Sequence, residues 1–533
     1  MNKFVEKIFN FESKTISGGA VIIAFFYLLN GLIALLRNGI LAYQFGASRI
    51  LDIYWASFRV PDLIYVIFIS GALSAGFIPF FAEKLNKSKE EAWQLANNIL
   101  STIILVLFIA ALLILIVAPL IVKLIVPGFD VSSQKEVAKF LRVMMFQPIF
   151  LGASAIFGGM LQTFRRFFVT SLSPIFYNLG IIIGAIFLTK IFGPIGLAIG
   201  VLLGAFLHLA VLFPSLKSIN FRFNFLPSFK SENIKNLISI AGPRTLSLIS
   251  TQINFLVITI IASHLEKGSL AIFNFANDLH SLPQNIFAIS FAISAFPILA
   301  TLSFNAEEFS SYFIKTLKNI LFFLLPAAAF YFIFRQEIIF LTLKYGQFDL
   351  TAQKETSLIL GIFSFNIIFA GLLPLLIRVF FAQKDAWRPF LAGLSANILN
   401  VFLSLVLAAR LGIKGIAISF VISNFINLVL LIWFIKRKNL LMGKEGLWLN
   451  FKKFFQKIIL ATIADFIFLF IIFSFLPFPQ DKIIAIIYLI SGGAIFVLIY
   501  LAINYFLMKE ELIELLKDYP LIKKFVGKYE KNS

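Results

Sequence analysis

The 533-residue chain has no cysteine and three histidines, His208, His264 and His280. The first absence excludes disulfides, thiol nucleophiles and cysteine-ligated metals. The scarcity of histidine leaves little from which to build a histidine-rich metal centre, and no metal site or cofactor is expected. Charge is also sparse: 14% of residues are Asp, Glu, Lys or Arg, where soluble domains carry about 25%. Although the formal net charge is +20, the Lys and Arg are scattered over short connections between apolar runs. That pattern argues against a nucleic-acid partner, which a clustered basic face would favour. No cleavable leader is evident. The first apolar run, Gly18–Phe45, is too long for a signal core and contains Arg37, so it reads as a span that stays.

What the chain has is hydrophobic length. Hydrophobic residues make up 60%, with 67 Phe, too much apolar surface for water to accommodate. A span needs about 20 apolar residues to cross about 30 Å of hydrocarbon. On that basis the expectation is an all-α polytopic membrane protein of about fourteen transmembrane helices, at 19–44, 52–83, 93–126, 136–163, 168–190, 195–216, 233–264, 269–303, 308–343, 352–383, 387–410, 413–435, 451–477 and 482–508. Its expected organisation is a cytoplasmic amino-terminus (1–17), an N-lobe (18–230), a C-lobe (231–440), two extra spans (441–509) and a basic tail at the membrane surface (510–533). Basic residues follow the positive-inside pattern if both termini are cytoplasmic. Lys84, Lys87, Lys89, Arg165, Arg166, Lys384, Arg388, Lys436, Arg437 and Lys438 then lie inside, against a poorer outside set of Arg49, Lys190, Lys267 and Lys482.

The stretch Pro61–Phe80 (PDLIYVIFISGALSAGFIPF) is similar to Leu282–Leu299 (LPQNIFAISFAISAFPIL). Two related six-helix lobes with a pseudo-two-fold relation would account for such a repeat, and transporters are often built so. A charge at the bilayer centre costs about 2.5–3.5 kcal/mol on insertion scales, so ionisable groups within spans are functional pointers. The candidate binding residues are Arg37, Asn38, Asp52, Arg59, Arg244 and Asp278. Arg37 is the sharpest, because its neighbours are apolar for three turns before it and a guanidinium offers phosphate a bidentate fork. The alternative for Arg37 is an ion pair with Asp52 or Asp278 that serves packing. Asp465 reads as a bundle-facing polar contact. Pro61, Pro174, Asn178, Pro243, Gln252 and Asn254 mark bending or polar packing positions within spans.

The ordered motifs resemble one family. LLRNGILAYQFGASRILDIYWASFRVPDLI (Leu35–Ile64) is similar to the first-two-span signature of the MurJ (MviN) lipid II flippases. Gly71–Glu83, Gly158–Asn178, Gly242–Asn254 and Arg378–Pro389 resemble later segments of that family in the same order. The resemblance implies a MOP-superfamily exporter that moves an undecaprenyl-pyrophosphate-linked peptidoglycan precursor across the cytoplasmic (inner) membrane by alternating access. A lipid-linked pyrophosphate substrate, membrane lipids and cell-wall synthesis proteins are the implied partners, and a coupling ion or the membrane potential the implied drive. Arg37 occupies the family's first-span Arg position, and Asp52 and Arg59 match the second-span Asp and the basic residue before Pro. Asn38 stands where the family usually has Asp, Asp62 where it has Asn, and Tyr65–Val66 and Asp278 where it has Arg. The competing expectations are another MOP exporter, for a lipid-linked oligosaccharide or a cation or drug, and a non-transporting membrane scaffold. An enzyme is not expected: the connections are short and hold no paired carboxylates or histidine cluster.

Overall fold

The structure, a computed structural model, describes residues 16–70, 77–227, 232–441, 445–479 and 481–517. Most of the expected segment 1–17 and of the tail 510–533 lies outside the described residues, as do the side chains of Pro243 and Arg244.

The described chain is helical throughout, with no strand among the described residues. In lipid every backbone N–H and C=O must be satisfied within the segment, and a helix does this without a partner. The first helices are α1 (Ile16–Phe45), α2 (Arg49–Ser57), α3 (Arg59–Tyr65), α4 (Ile78–Lys87) and α5 (Lys89–Ile125). They are followed by α6 (Val131–Met144), α7 (Gln147–Thr163), α8 (Phe167–Ile183), α9 (Thr189–Phe192), α10 (Gly196–Ala210), α11 (Phe213–Ser218) and α12 (Glu232–Ser263). Next come α13 (Ser269–Pro283), α14 (Ser290–Thr301), α15 (Ala306–Ile333), α16 (Arg335–Thr342) and α17 (Leu350–Ala382). The last are α18 (Trp387–Leu411), α19 (Ile413–Arg437), α20 (Glu445–Phe475) and α21 (Lys482–Lys517).

Short polar side chains start several of these helices. Ser88 Oγ accepts the Glu91 N–H at 3.1 Å and Asn305 Oδ1 that of Glu308 at 3.3 Å. Asp130 accepts from both the backbone N–H (2.9 Å) and the hydroxyl (2.7 Å) of Ser133. Each replaces one of the first-turn donors' missing partners. This hydrogen bonding holds the Asp130 carboxyl below the usual carboxylate pKa.

Twelve helices among the described residues are long and apolar enough to cross a membrane, rather than the expected fourteen. Two places account for the difference. Phe167–Ser218 forms one 52-residue helical stretch, which would be about 80 Å long if straight. It is not straight. At Gly193 φ is +68°, and the chain returns on itself, bringing Gly180 against Gly204 and Gly184 against Gly200. A Cβ on Gly184 would sit 2.4 Å from the Gly200 Cα, so only glycine permits this backbone approach, as between close-packed membrane helices generally. The expected spans 168–190 and 195–216 are the two arms of this hairpin. The expected span 52–83 includes residues 71–76, which lie outside the described residues.

The chain divides into two compact units. The first comprises Met1–Phe275, Thr342–Ala352 and Phe390–Phe420. Within it Gly46 (φ +59°) ends α1, and the Gln347 N–H donates to Tyr43 O at 2.9 Å. A Cβ on Gly46 would stand 2.4 Å from Gln347 O, which gives the Phe45–Gly46 pair of the family signature a physical reason. An aromatic cluster of Phe77, Phe81, Trp93, Phe157 and Phe221 fills the core between α4, α5 and α7. The second unit comprises Ala276–Leu341, Gln353–Pro389 and Val421–Ser533. There α20 and α21 pack on α15 around Phe322, Phe454, Ile458 and Tyr500. The two repeated sequence stretches each contain a π-helical turn, Val66–Ser70 in one and Gln284–Ile289 in the other, a feature that frequently marks functional positions in helices.

Candidate functional site

Arg37 lies in the middle of α1, and its guanidinium is half-buried. Nε and one terminal nitrogen donate to Asn38 Oδ1 at 3.1 and 2.9 Å, and the other terminal nitrogen donates to Asn178 Oδ1 at 2.9 Å. Asn178 comes from α8, one turn after Pro174. Its own amide group donates to Asn30 Oδ1 at 3.0 Å and to Pro174 O at 3.2 Å. Asn30 and Arg37 are two turns apart on α1 and so share a face; Asn178 bridges them. Asn38 and Asn178 thus help to orient the guanidinium through amide oxygens.

The expected carboxylate partner from the second span is engaged elsewhere. Asp52, buried in α2, accepts the backbone N–H groups of Gly268 (2.7 Å) and Ala271 (3.0 Å) and faces Arg49 at 3.4 Å. It thereby caps the first turn of α13, where an anion also meets the positive end of the helix dipole. Arg59 is buried as well. Its Nε donates to Thr259 Oγ1 at 2.8 Å and a terminal nitrogen to Asn274 Oδ1 at 3.1 Å, with the Phe255 ring 5.4 Å below. Thr259 donates its own proton to Phe255 O, which turns its lone pairs toward Arg59.

Of the remaining candidates, Asn254 Oδ1 accepts from Asn400 Nδ2 at 2.9 Å, one turn along α12 from Ser250, which accepts from Asn397 at 2.8 Å. These pairs form a polar seam between α12 and α18. Gln252 is half-buried on another face of α12, and Pro61 is buried in α3. Asp278 is half-buried in α13. The structure therefore joins Arg37, Asn38 and Asn178, while Asp52, Arg59 and Asn254 each belong to a separate group.

Beside the Arg37 group the first unit holds a cavity of about 440 Å³ walled by Asp62, Tyr65, Gln147, Ser154, Tyr177 and His208, among others. Ser154 Oγ and the His208 ring nitrogen Nδ1 are 2.6 Å apart. Sequence reading did not find this set, because its members are single polar residues in four separate spans. The connections carry structure too. Arg166, expected among the inside charges, is buried and donates to Ser215 O at 2.9 Å and to Ser218 Oγ, tying α11 to the α7–α8 turn. In the α17–α18 turn, burial works against the Asp385 carboxylate. The Arg388 side chain and backbone N–H, with Lys438 at 3.5 Å, outweigh it and hold the pKa below the usual range.

The family described as Lipid II flippase MurJ matches residues 41–488. The chain belongs to the lipid II flippase MurJ family. It is similar to the probable lipid II flippase MurJ of Buchnera aphidicola subsp. Schizaphis graminum, 27% identical over 487 residues that cover 89% of this chain and 94% of the relative. The probable lipid II flippase MurJ of Thermotoga maritima is 28% identical over 407 residues, 76% of this chain and 82% of the relative. Among solved structures, a lipid II flippase MurJ in an inward closed conformation superposes with a TM-score of 0.77 at 23% identity, covering 92% of this chain and 100% of that one. An inward-facing multidrug resistance MATE family transporter of the MOP superfamily gives a TM-score of 0.65 at 17% identity, covering 79% and 98%. These likenesses show that this MurJ family member, a multi-pass membrane protein, shares its overall fold with those two solved transporters.

Proposed function

We infer that the chain is a flippase that translocates lipid II, the undecaprenyl-pyrophosphate-linked precursor of peptidoglycan, across the cytoplasmic membrane. The observation that carries this reading is the family match over residues 41–488. The transporter works by alternating access, in which cargo binds one conformation better than the other and shifts the balance between them. A coupling ion or the membrane potential supplies the direction, both termini lie in the cytoplasm, and cell-wall synthesis proteins are the protein partners.

Arg37 and Asn38 are the proposed contacts to the pyrophosphate. What supports them is chemical: Asn38 and Asn178 hold the guanidinium in place within the first span, and its planar fork suits phosphate oxygens. Arg244 and Asp278 belong to the same proposal as residues that tune the charge met by the cargo. The hydrogen bonding of Asp52 and Arg59 supports packing roles for these two.

Complementation of a bacterium depleted of its own MurJ tests the reading. The chain should restore growth, Arg37→Ala should not, and Arg37→Lys should restore it in part. Normal expression and membrane insertion without rescue would remove lipid II as the cargo. Full rescue by Arg37→Ala would remove the pyrophosphate role while leaving the cargo standing.

A further inference from the structure

The last two spans enclose a polar cluster that the proposed transport chemistry does not use. Thr462 and Asp465 lie one turn apart on α20, and Tyr500 and Asn504 one turn apart on α21. Ile458 and Ala461, on α20 just before Thr462, pack in one buried cluster with Tyr500. Asp465 and Asn504 are both 0% exposed.

Three donor groups of this cluster are engaged by backbone carbonyls. Thr462 Oγ1 donates to Ile458 O at 2.8 Å, Tyr500 OH to Phe322 O at 2.9 Å, and Asn504 Nδ2 to Tyr500 O at 2.7 Å. Both carboxylate oxygens of Asp465 and the Asn504 Oδ1 are buried and receive no donor among the described residues. Every orphan is therefore an acceptor, and the two hydroxyls offer only lone pairs. The carboxylate receives no donor from this set, and a buried carboxylate without compensation is strongly unfavourable.

The basic groups nearby are committed at a distance. Lys457 pairs with Glu511 at 3.2 Å, and Lys318 lies 5.1 Å over the Phe454 ring. Along α20 these positions are about 12 and 16 Å from Asp465. A single proton would satisfy one carboxyl oxygen and one acceptor, leaving the third orphan. A small monovalent cation takes oxygen donors of these kinds, and its one charge balances one carboxylate. A divalent ion would bury an excess positive charge, and no group of three acidic or histidine ligands exists among the described residues. All-oxygen donors suit a hard cation.

We propose that Asp465, Asn504, Thr462 and Tyr500 form a binding site for a sodium-class monovalent cation between the last two spans. The site is independent of the cargo, so its test does not depend on transport.

The purified full chain in lipid nanodiscs is unfolded by heat in sodium chloride and in choline chloride at equal ionic strength. A ligand bound only by the folded state lowers the unfolding constant about tenfold for each tenfold rise in concentration above half-saturation. Wild type should show this response to sodium and none to choline. Asp465→Asn should lose the sodium response, and the milder Thr462→Val should fold and need more sodium for the same shift. If Asp465→Asn fails to fold, the wild-type comparison still decides. Identical midpoints in sodium and choline would overturn the proposal. So would an infrared carboxylic-acid C=O band in sodium buffer at neutral pH that Asp465→Asn abolishes, because a proton would then occupy the site.

Discussion

The Arg37–Asn178 contact ties the first span to the fifth across 141 residues of sequence, and a double-mutant cycle measures it. The perturbations are Arg37→Met, which keeps an unbranched apolar stem, Asn178→Leu, and the two combined. Arg37→Met removes the donors of two buried acceptors, Asn38 Oδ1 and Asn178 Oδ1. A hydrogen bond to a charged group contributes about 1.5–3 kcal/mol, and a buried acceptor left alone costs about 1–3 kcal/mol. The single variant should therefore lose about 2–5 kcal/mol. Asn178→Leu also breaks the link to Asn30 and should lose about 2–4 kcal/mol by the same reasoning. Once one partner is gone, removing the other deletes no shared bond, so the double variant should be more stable than the sum predicts by about 1–3 kcal/mol. Denaturant titration of the protein in mixed micelles reads all four stabilities. A coupling within about 0.5 kcal/mol of zero is what unconnected sites give, and it would refute the bridge. Transport complementation of the same set separates the roles: Asn178→Leu should weaken rescue through misorientation of Arg37, and Arg37→Met should eliminate it.

The glycine hairpin predicts a sharp contrast between positions. Gly184→Leu drives its Cβ into the Gly200 backbone and should cost about 1–3 kcal/mol or more, whereas Gly158→Ala, which points into open space, should leave thermal stability unchanged. Asp52→Ala strips the α13 N-terminus of its acceptor for Gly268 and Ala271; a cap of this kind contributes about 0.5–2 kcal/mol, visible as a lower unfolding midpoint, and equal midpoints would contradict the capping role. Asp385 sets a pH dependence. Its pKa is lower in the folded protein than in the unfolded chain, so the unfolded state binds the proton more readily and stability contributed by the carboxylate is present above the unfolded value, about 3.9. It is lost as pH falls through the lower folded value. Midpoints measured from pH 6 to pH 3 should fall more steeply for wild type than for Asp385→Asn, and parallel curves would discard the ion cluster.

How much of this was legible in the sequence depends on the physical scale of each feature. Spans follow from apolar length, which a sequence states outright, and the family signature follows from motifs in order. The helical hairpin over Phe167–Ser218 was readable as two spans because Gly193–Pro194 interrupts two apolar runs. Arg37 was legible as a site because an isolated charge in twenty apolar residues needs a reason. Its partners were not legible. Asn178 attracted notice as a polar residue near a proline, but nothing local says that its amide oxygen faces Arg37 from another helix. Asp52 shows the converse: its charge is conspicuous within the family signature, yet two backbone N–H groups more than two hundred residues away decide its use. Asp465 makes the same point inside the last hairpin. In sequence it is one acid in a long apolar run, easily read as a contact between helices. Only its neighbours' bonds to backbone carbonyls, with both of its own oxygens left without a donor, convert that contact into a buried acceptor group with a charge still to be balanced.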